Sequence, residues 1–88
     1  MRSKNGFVLR SLGKEFILVA EGLEAADANK LISMNESAAF LWKAVEGKDF
    51  DANTLIDLLV EEYGITREVA EKDAISLLET WKRADIIN

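Results

Sequence analysis

The stretch KLISMNESAAFLWKAVEG, residues 30–47, changes its hydrophobic period in the middle. Lys30 to Met34 alternates as a strand does, and from Glu36 onward the apolar residues recur at helical spacing. Asn35 stands at the junction. It is a good N-cap, because its side-chain oxygen can accept from a first-turn amide that has no partner inside the helix. Glu36 follows in the first turn, where the helix dipole favours an anion. Phe40, Leu41, Ala44 and Val45 make an apolar face with Trp42 flanking it, and Gly47 can take the left-handed conformation that ends the helix.

Toward the N-terminus, FVLRSL (7–12) and EFILVA (15–20) are β-prone runs separated by Gly13-Lys14, which suits a tight hairpin. EGLEAADAN (21–29) breaks the pattern with Gly22 and small or acidic residues and reads as a loop before a third strand, KLISM (30–34). Toward the C-terminus, a second helix is predicted from about Ala52 to Tyr63, with Asp51 as N-cap, Gly64 as stop, and a stripe of Leu55, Ile56, Leu58, Leu59 and Tyr63. Thr66 caps a third helix to about Ala84, whose stripe is Ala70, Ala74, Leu77, Leu78, Trp81 and Ala84. The tail DIIN leaves this helix and packs Ile86 or Ile87 onto the body. The order is β-β-β-α-α-α. A three-stranded antiparallel sheet covered by three amphipathic helices is an α+β, winged-helix-like arrangement. With no proline, repeat or linker, residues 1–88 read as a single domain.

Composition excludes most chemistry. There is no cysteine, hence no disulfide framework and no thiolate metal site. There is no histidine, which removes the usual general base near neutral pH and the commonest metal ligand. Ser33, Ser37 and Ser76 therefore have no imidazole to activate them. Glu61-Glu62 are adjacent on a helix and point different ways, as on a solvated face. Glu15, Glu21, Glu24 and Asp27 fall in hairpin or loop, where nothing orients them. No phosphate-binding, dinucleotide-binding or zinc-protease motif occurs, nor the Asp-Ser-Leu context of a phosphopantetheine carrier. No cofactor is expected, and an enzyme acting alone is not. No apolar run approaches the roughly 20 residues that span a bilayer, and MRSKNGFVLR lacks a signal peptide's apolar core. A cytoplasmic protein with no membrane partner is the simplest expectation.

The charge is uneven. Residues 1–14 carry Arg2, Lys4, Arg10 and Lys14 and no acid, net +4, whereas the remainder carries 7 basic and 16 acidic groups, net −9. The basic start reads as a solvated hairpin or as a weak electrostatic guide for an acidic partner.

A chain without catalytic groups works by binding, and KLISM is the place to look. At the edge of the sheet, its alternate backbone N–H and C=O groups would be unpaired, a template for an added strand. Entry into the first helix should turn Ile32 and Met34 inward and leave Leu31 partly open. On the third helix Ile75 and Leu78 widen the apolar stripe on one side, and Asp73 and Thr80 flank the other. Such a helix can wall a groove beside the strand.

The order of local features resembles the PqqD family over about residues 6–87. The features are Met34-Asn35, Ala38-Ala39 and Leu41-Trp42, then Glu62-Tyr63, then Ala70, Asp73, Leu77, Leu78 and Trp81, and the closing Ile86-Ile87. Met34 stands for the family's usual leucine, Ala38 for a common glycine, and Ala20-Glu21 where a proline often follows the second strand. The resemblance implies a recognition element for ribosomally made, post-translationally modified peptides. Such an element holds the leader segment of a precursor peptide and presents it to a modifying enzyme, often a radical S-adenosylmethionine protein, as in pyrroloquinoline quinone biosynthesis. It implies that the leader adds to the third strand and packs on the third helix, here Leu31, Ile32 and Ser33 together with Asp73, Leu77, Leu78 and Trp81. Leu31 and Leu78 would offer apolar contact and Asp73 would meet a basic group, with Leu77 and Trp81 mainly core.

The rival from fold alone is a winged-helix DNA-binding regulator. Its recognition helix would span Arg67 to Asp85, which holds four basic and five acidic residues. Only Lys82-Arg83 cluster there, at the C-terminal end where they suit the helix dipole, so no nucleic-acid partner is expected. A third alternative is a structural dimerisation module, a homodimer formed through the exposed strand.

Overall fold

The computed structural model describes residues 1–21 and 31–88. The strands are β1 (Phe7–Leu12), β2 (Glu15–Ala20) and β3 (Leu31–Met34), and the helices are α1 (Glu36–Val45), α2 (Ala52–Tyr63) and α3 (Arg67–Arg83). The order is the β-β-β-α-α-α expected from the sequence. The loop reading of residues 22–29, with Glu24 and Asp27, and the assignment of Lys30 to the third strand lie outside the described residues.

Local chemistry explains the boundaries. Gly13 takes φ 63° and Lys14 does not take a positive φ, the pattern of a type II′ turn, whose twist matches the two strands it joins. Asn35 caps α1 by accepting from the Ala38 amide at 2.8 Å. Asp51 accepts from the Thr54 amide at 3.0 Å while Thr54 Oγ1 accepts from the Asp51 amide, so both orphan donors are satisfied. Thr66 Oγ1 accepts from the Val69 amide. Gly64 ends α2 in the left-handed region at φ 62° and donates its N–H to the Val60 carbonyl.

The sheet has order β1-β2-β3, antiparallel throughout, with Leu9, Leu18 and Ile32 in one cross-strand row and Ser11, Phe16 and Met34 in the next. These rows face the helices, and Leu18 at their centre is fully buried. Trp42 lies at the middle of the core rather than on its flank, perpendicular to Trp81 with ring centroids 5.3 Å apart. Phe40 is only half-buried. The reason is that α1 buries Ala38, Ala39, Leu41, Trp42 and Val45 on one face, and Phe40 lies on nearly the opposite side of the helix from Trp42. On α2, Leu55, Ile56 and Leu59 are buried, and Tyr63 at the helix end is exposed. Both Ile86 and Ile87 are buried.

The first residues form no hairpin of their own. Met1 and Phe50 exchange backbone hydrogen bonds, Lys4 donates its amide to the Ile86 carbonyl, and Asn88 donates to the Arg2 carbonyl. Residues 1–4 thus strap the α1–α2 connection to the C-terminal tail.

Two outcomes are expected. Leu18→Ala empties the centre of the inner sheet face and lowers unfolding free energy by about 2–5 kcal/mol in denaturant titration. The hydrogen bonds from the Thr54 backbone and side chain hold the Asp51 carboxyl below its ordinary pKa. Its contribution is therefore present above the unfolded carboxylate pKa and lost as pH falls through the lowered folded value. Asp51→Asn keeps a cap but not the titration. The thermal-midpoint advantage of the wild type over this variant should shrink on acidification from neutral pH.

Candidate functional site

The direction of each backbone group on β3 follows from the hairpin. A two-residue turn closes on a hydrogen-bonded pair, here Leu12 and Glu15. Hydrogen-bonded and non-hydrogen-bonded pairs then alternate, so Ile17 and Val19 address β1 and Phe16 and Leu18 address β3. Phe16 pairs with Met34 and Leu18 with Ile32. Ile32 and Met34 therefore spend their N–H and C=O groups on β2. Leu31 and Ser33 turn theirs away from the sheet, toward a margin that no described strand occupies.

Side chains alternate in the same register. Met34 is buried, Ile32 is half-buried against the core, and Leu31 and Ser33 are exposed, Leu31 at 70%. Each residue with free backbone groups thus also presents its side chain on the solvent face.

On α3 the buried positions are Ala70, Ala74, Leu78 and Trp81. Leu78 on this stripe is 6% exposed and part of the core, while Leu77 on the stripe's other side is the more accessible leucine. Asp73 lies one turn before Leu77, exposed and without an ion pair among the described residues. Ile75, 46% exposed, lies on the opposite flank. Met34, Leu78 and Trp81 belong to one core, against which Ile32 and Leu77 both pack, and β3 itself lies against β2 and α1.

A shallow depression of about 210 Å³ lies between the start of β2 and α1, lined by Phe16, Glu36, Ala39, Phe40 and Lys43. It includes none of the seven residues predicted from sequence. The Lys43 ammonium sits 5.8 Å from the centre of the Phe16 ring, and Tyr63 stands edge-on to Phe40. Partial burial, then the carboxylates of Glu36 and Glu62, raise the Tyr63 hydroxyl above its ordinary pKa.

Three of the four early cations are matched locally. Arg2 donates to the Gly47 carbonyl and approaches Asp49, Lys4 pairs with Asp85, and Arg10 forms a two-pronged contact with Glu21 at 2.6 and 2.7 Å. The N-terminal charge excess is thereby largely neutralised at close range. On α3 the exposed Glu68, Glu71, Asp73 and Glu79 equal the exposed Arg67, Lys72, Lys82 and Arg83 in number, so the helix carries no net positive charge to attract phosphate. Among the described residues no group of three or more carboxylates is placed to hold a metal ion, and no helix is long and apolar enough to cross a membrane.

The family model described as coenzyme PQQ synthesis protein D (PqqD) matches residues 11–87. No curated protein matches the chain. Among solved structures, one described as TbiB1 in complex with the TbiA(beta) leader peptide superposes with a TM-score of 0.76 at 17% identity, covering 100% of this chain and 95% of that one. At that identity the likeness establishes the fold.

The backbone directions on β3 are open to measurement. In hydrogen exchange of the free protein, the Leu31 and Ser33 amides should exchange rapidly, and those of Ile32 and Met34 slowly. Equal protection along the four residues would contradict the register.

Proposed function

Because the chain belongs to the PqqD family, we propose that it is a non-catalytic adaptor that takes the leader segment of a ribosomally made precursor peptide as a fourth strand on β3. It presents the leader's core peptide to a modifying enzyme, a radical S-adenosylmethionine protein. The carrying observation is the pair of outward-directed backbone units at Leu31 and Ser33, which match the demands of an incoming extended chain. The superposable protein was solved with a leader peptide, which supports the same use of this fold. An adaptor needs no proton-transfer group, and a chain without histidine or cysteine is consistent with that.

The roles divide by position. Leu31 and Ser33 contribute main-chain hydrogen bonds. Ile32 faces inward and meets the guest's inward side chains, with Leu77 as the accessible apolar position on α3. Asp73 orients a basic group on the guest. Leu78 and Trp81, both buried, act from below by holding α3 in place.

The test is a titration of the isotope-labelled chain with the precursor peptide encoded beside it. Amide shifts should fall on residues 31–34 and on α3, and shifts confined to other surfaces would exclude the site. Ser33→Pro removes one outward N–H and should weaken binding by about 1 kcal/mol, roughly fivefold. Ser33→Ala retains that N–H and should bind nearly as the wild type does.

A further inference from the structure

The outer face of the sheet, the one turned away from the helices, is unusually apolar. Val8, Val19 and Leu31 form a continuous cross-strand row, and Arg10, Ile17 and Ser33 form the row beside it. Val8 is 39% and Leu31 is 70% exposed, with Val19 between them partly covered, so the row is most open at the β3 margin. The sequence of β2 carries the same message. EFILVA is apolar at five consecutive positions, whereas a strand with one wet face alternates. Its outer residues Ile17 and Val19 are shielded on both sides by β1 and β3. Among the described residues, Leu31 has a strand neighbour on one side only.

We infer that the domain selects its guest on this outer face as well, through an apolar side chain that completes the Val8–Val19–Leu31 row at a fourth position. The inference rests on the strand-addition reading above and adds to it a second specificity position. The occupant is the guest strand itself. Leu31 and Ser33 direct both their hydrogen-bonding groups and their side chains outward. The guest residues that pair with them must therefore point to the same outer face. The guest residue opposite Leu31 covers the exposed leucine and favours Val, Ile, Leu or an aromatic ring. The residue two positions away lies opposite Ser33, at the end of the row that Ile17 and Arg10 continue across the sheet, and takes small or polar side chains. Guest residues between and beyond these point inward.

Cross-strand pairs of this kind change affinity by about two- to five-fold over a mismatched residue. A charge exchange makes the effect readable. Random decapeptides displayed on phage are selected on the full wild-type chain and on Leu31→Lys, whose site is exposed enough to leave the thermal midpoint unchanged. Selected peptides are then synthesised, and their register is read from protection of the Leu31 and Ser33 amides. The expected result is apolar enrichment opposite Leu31 in the wild type and replacement of that residue alone by Asp or Glu in Leu31→Lys. Peptides that protect those amides but show the same composition with both proteins would overturn the outer-face selection and leave strand addition standing. Peptides that bind without protecting them, or no enrichment at all, would overturn both.

Discussion

The parity of the β1–β2 hairpin governs the candidate site. In an antiparallel ladder a residue's N–H and C=O point the same way, and the direction reverses at each step. A two-residue turn at Gly13-Lys14 makes Leu12 and Glu15 a bonded pair, and every later assignment follows without a bulge to reset it. Inserting one residue in β2 would exchange the roles of β3's residues. Ile32 and Met34 would then lose their bonds to β2, and the inward face would no longer be the apolar one. The requirement that Leu18, Ile32 and Met34 face the helices, together with the glycine that permits the tight turn, therefore decides which backbone groups stand free at the margin.

A margin left unpaired among the described residues is a liability in a chain this small, and the fold limits it by length. β3 has four residues, and Asn35 ends it by capping α1 immediately afterwards. A strand that short offers few bonds to an accidental partner, so edge pairing becomes strong only when side chains on the incoming chain also fit. The same shortness makes the inward contacts of Ile32 and the outward contact of Leu31 matter to any specific guest. Rigidity comes from below. α1 packs under the strand, perpendicular Trp42 and Trp81 join α1 to α3, and the strap of residues 1–4 ties the α1–α2 connection to the tail.

Much of this was legible in the sequence because it is local. The three N-caps, the left-handed Gly64, the Gly13 turn and the element order each depend on a few neighbouring residues and appear where their chemistry places them. The inward turn of Ile32 and Met34 was legible for the same reason: period two, anchored by the helix that follows. What was not legible depends on distant contacts. Trp42 and Phe40 lie on nearly opposite sides of α1, about 160° apart at 3.6 residues per turn, and it is Trp81, 39 positions later, that packs against the side Trp42 occupies. Leu77 and Leu78 are adjacent apolar residues on one helix, and only the packing of α3 on α2 decides which is covered. The strap was invisible because MRSK has no periodicity and its partners lie at residues 47–50 and 85–88. The apolar outer row requires the register of three strands at once.

The charge pattern fits the same picture. Read along the chain, the basic start suggests steering of an acidic partner. In the folded domain Arg2, Lys4 and Arg10 lie close to Asp49, Asp85 and Glu21, so their far field is mostly cancelled. On α3 the exposed Arg67, Lys72, Lys82 and Arg83 equal the exposed Glu68, Glu71, Asp73 and Glu79 in number, but the two signs are not evenly spread. Lys82 and Arg83 stand in the last turn, where they meet the helix dipole. In the first half Arg67 is taken up by Asp57 of α2, which leaves Lys72 among Glu68, Glu71 and Asp73. The helix is therefore acidic around Asp73, over about 8–10 Å at ordinary ionic strength. A guest strand with a cation on the flank that faces Asp73 would be favoured there, and neutral hydrogen bonds at Leu31 and Ser33 would supply the rest of its hold.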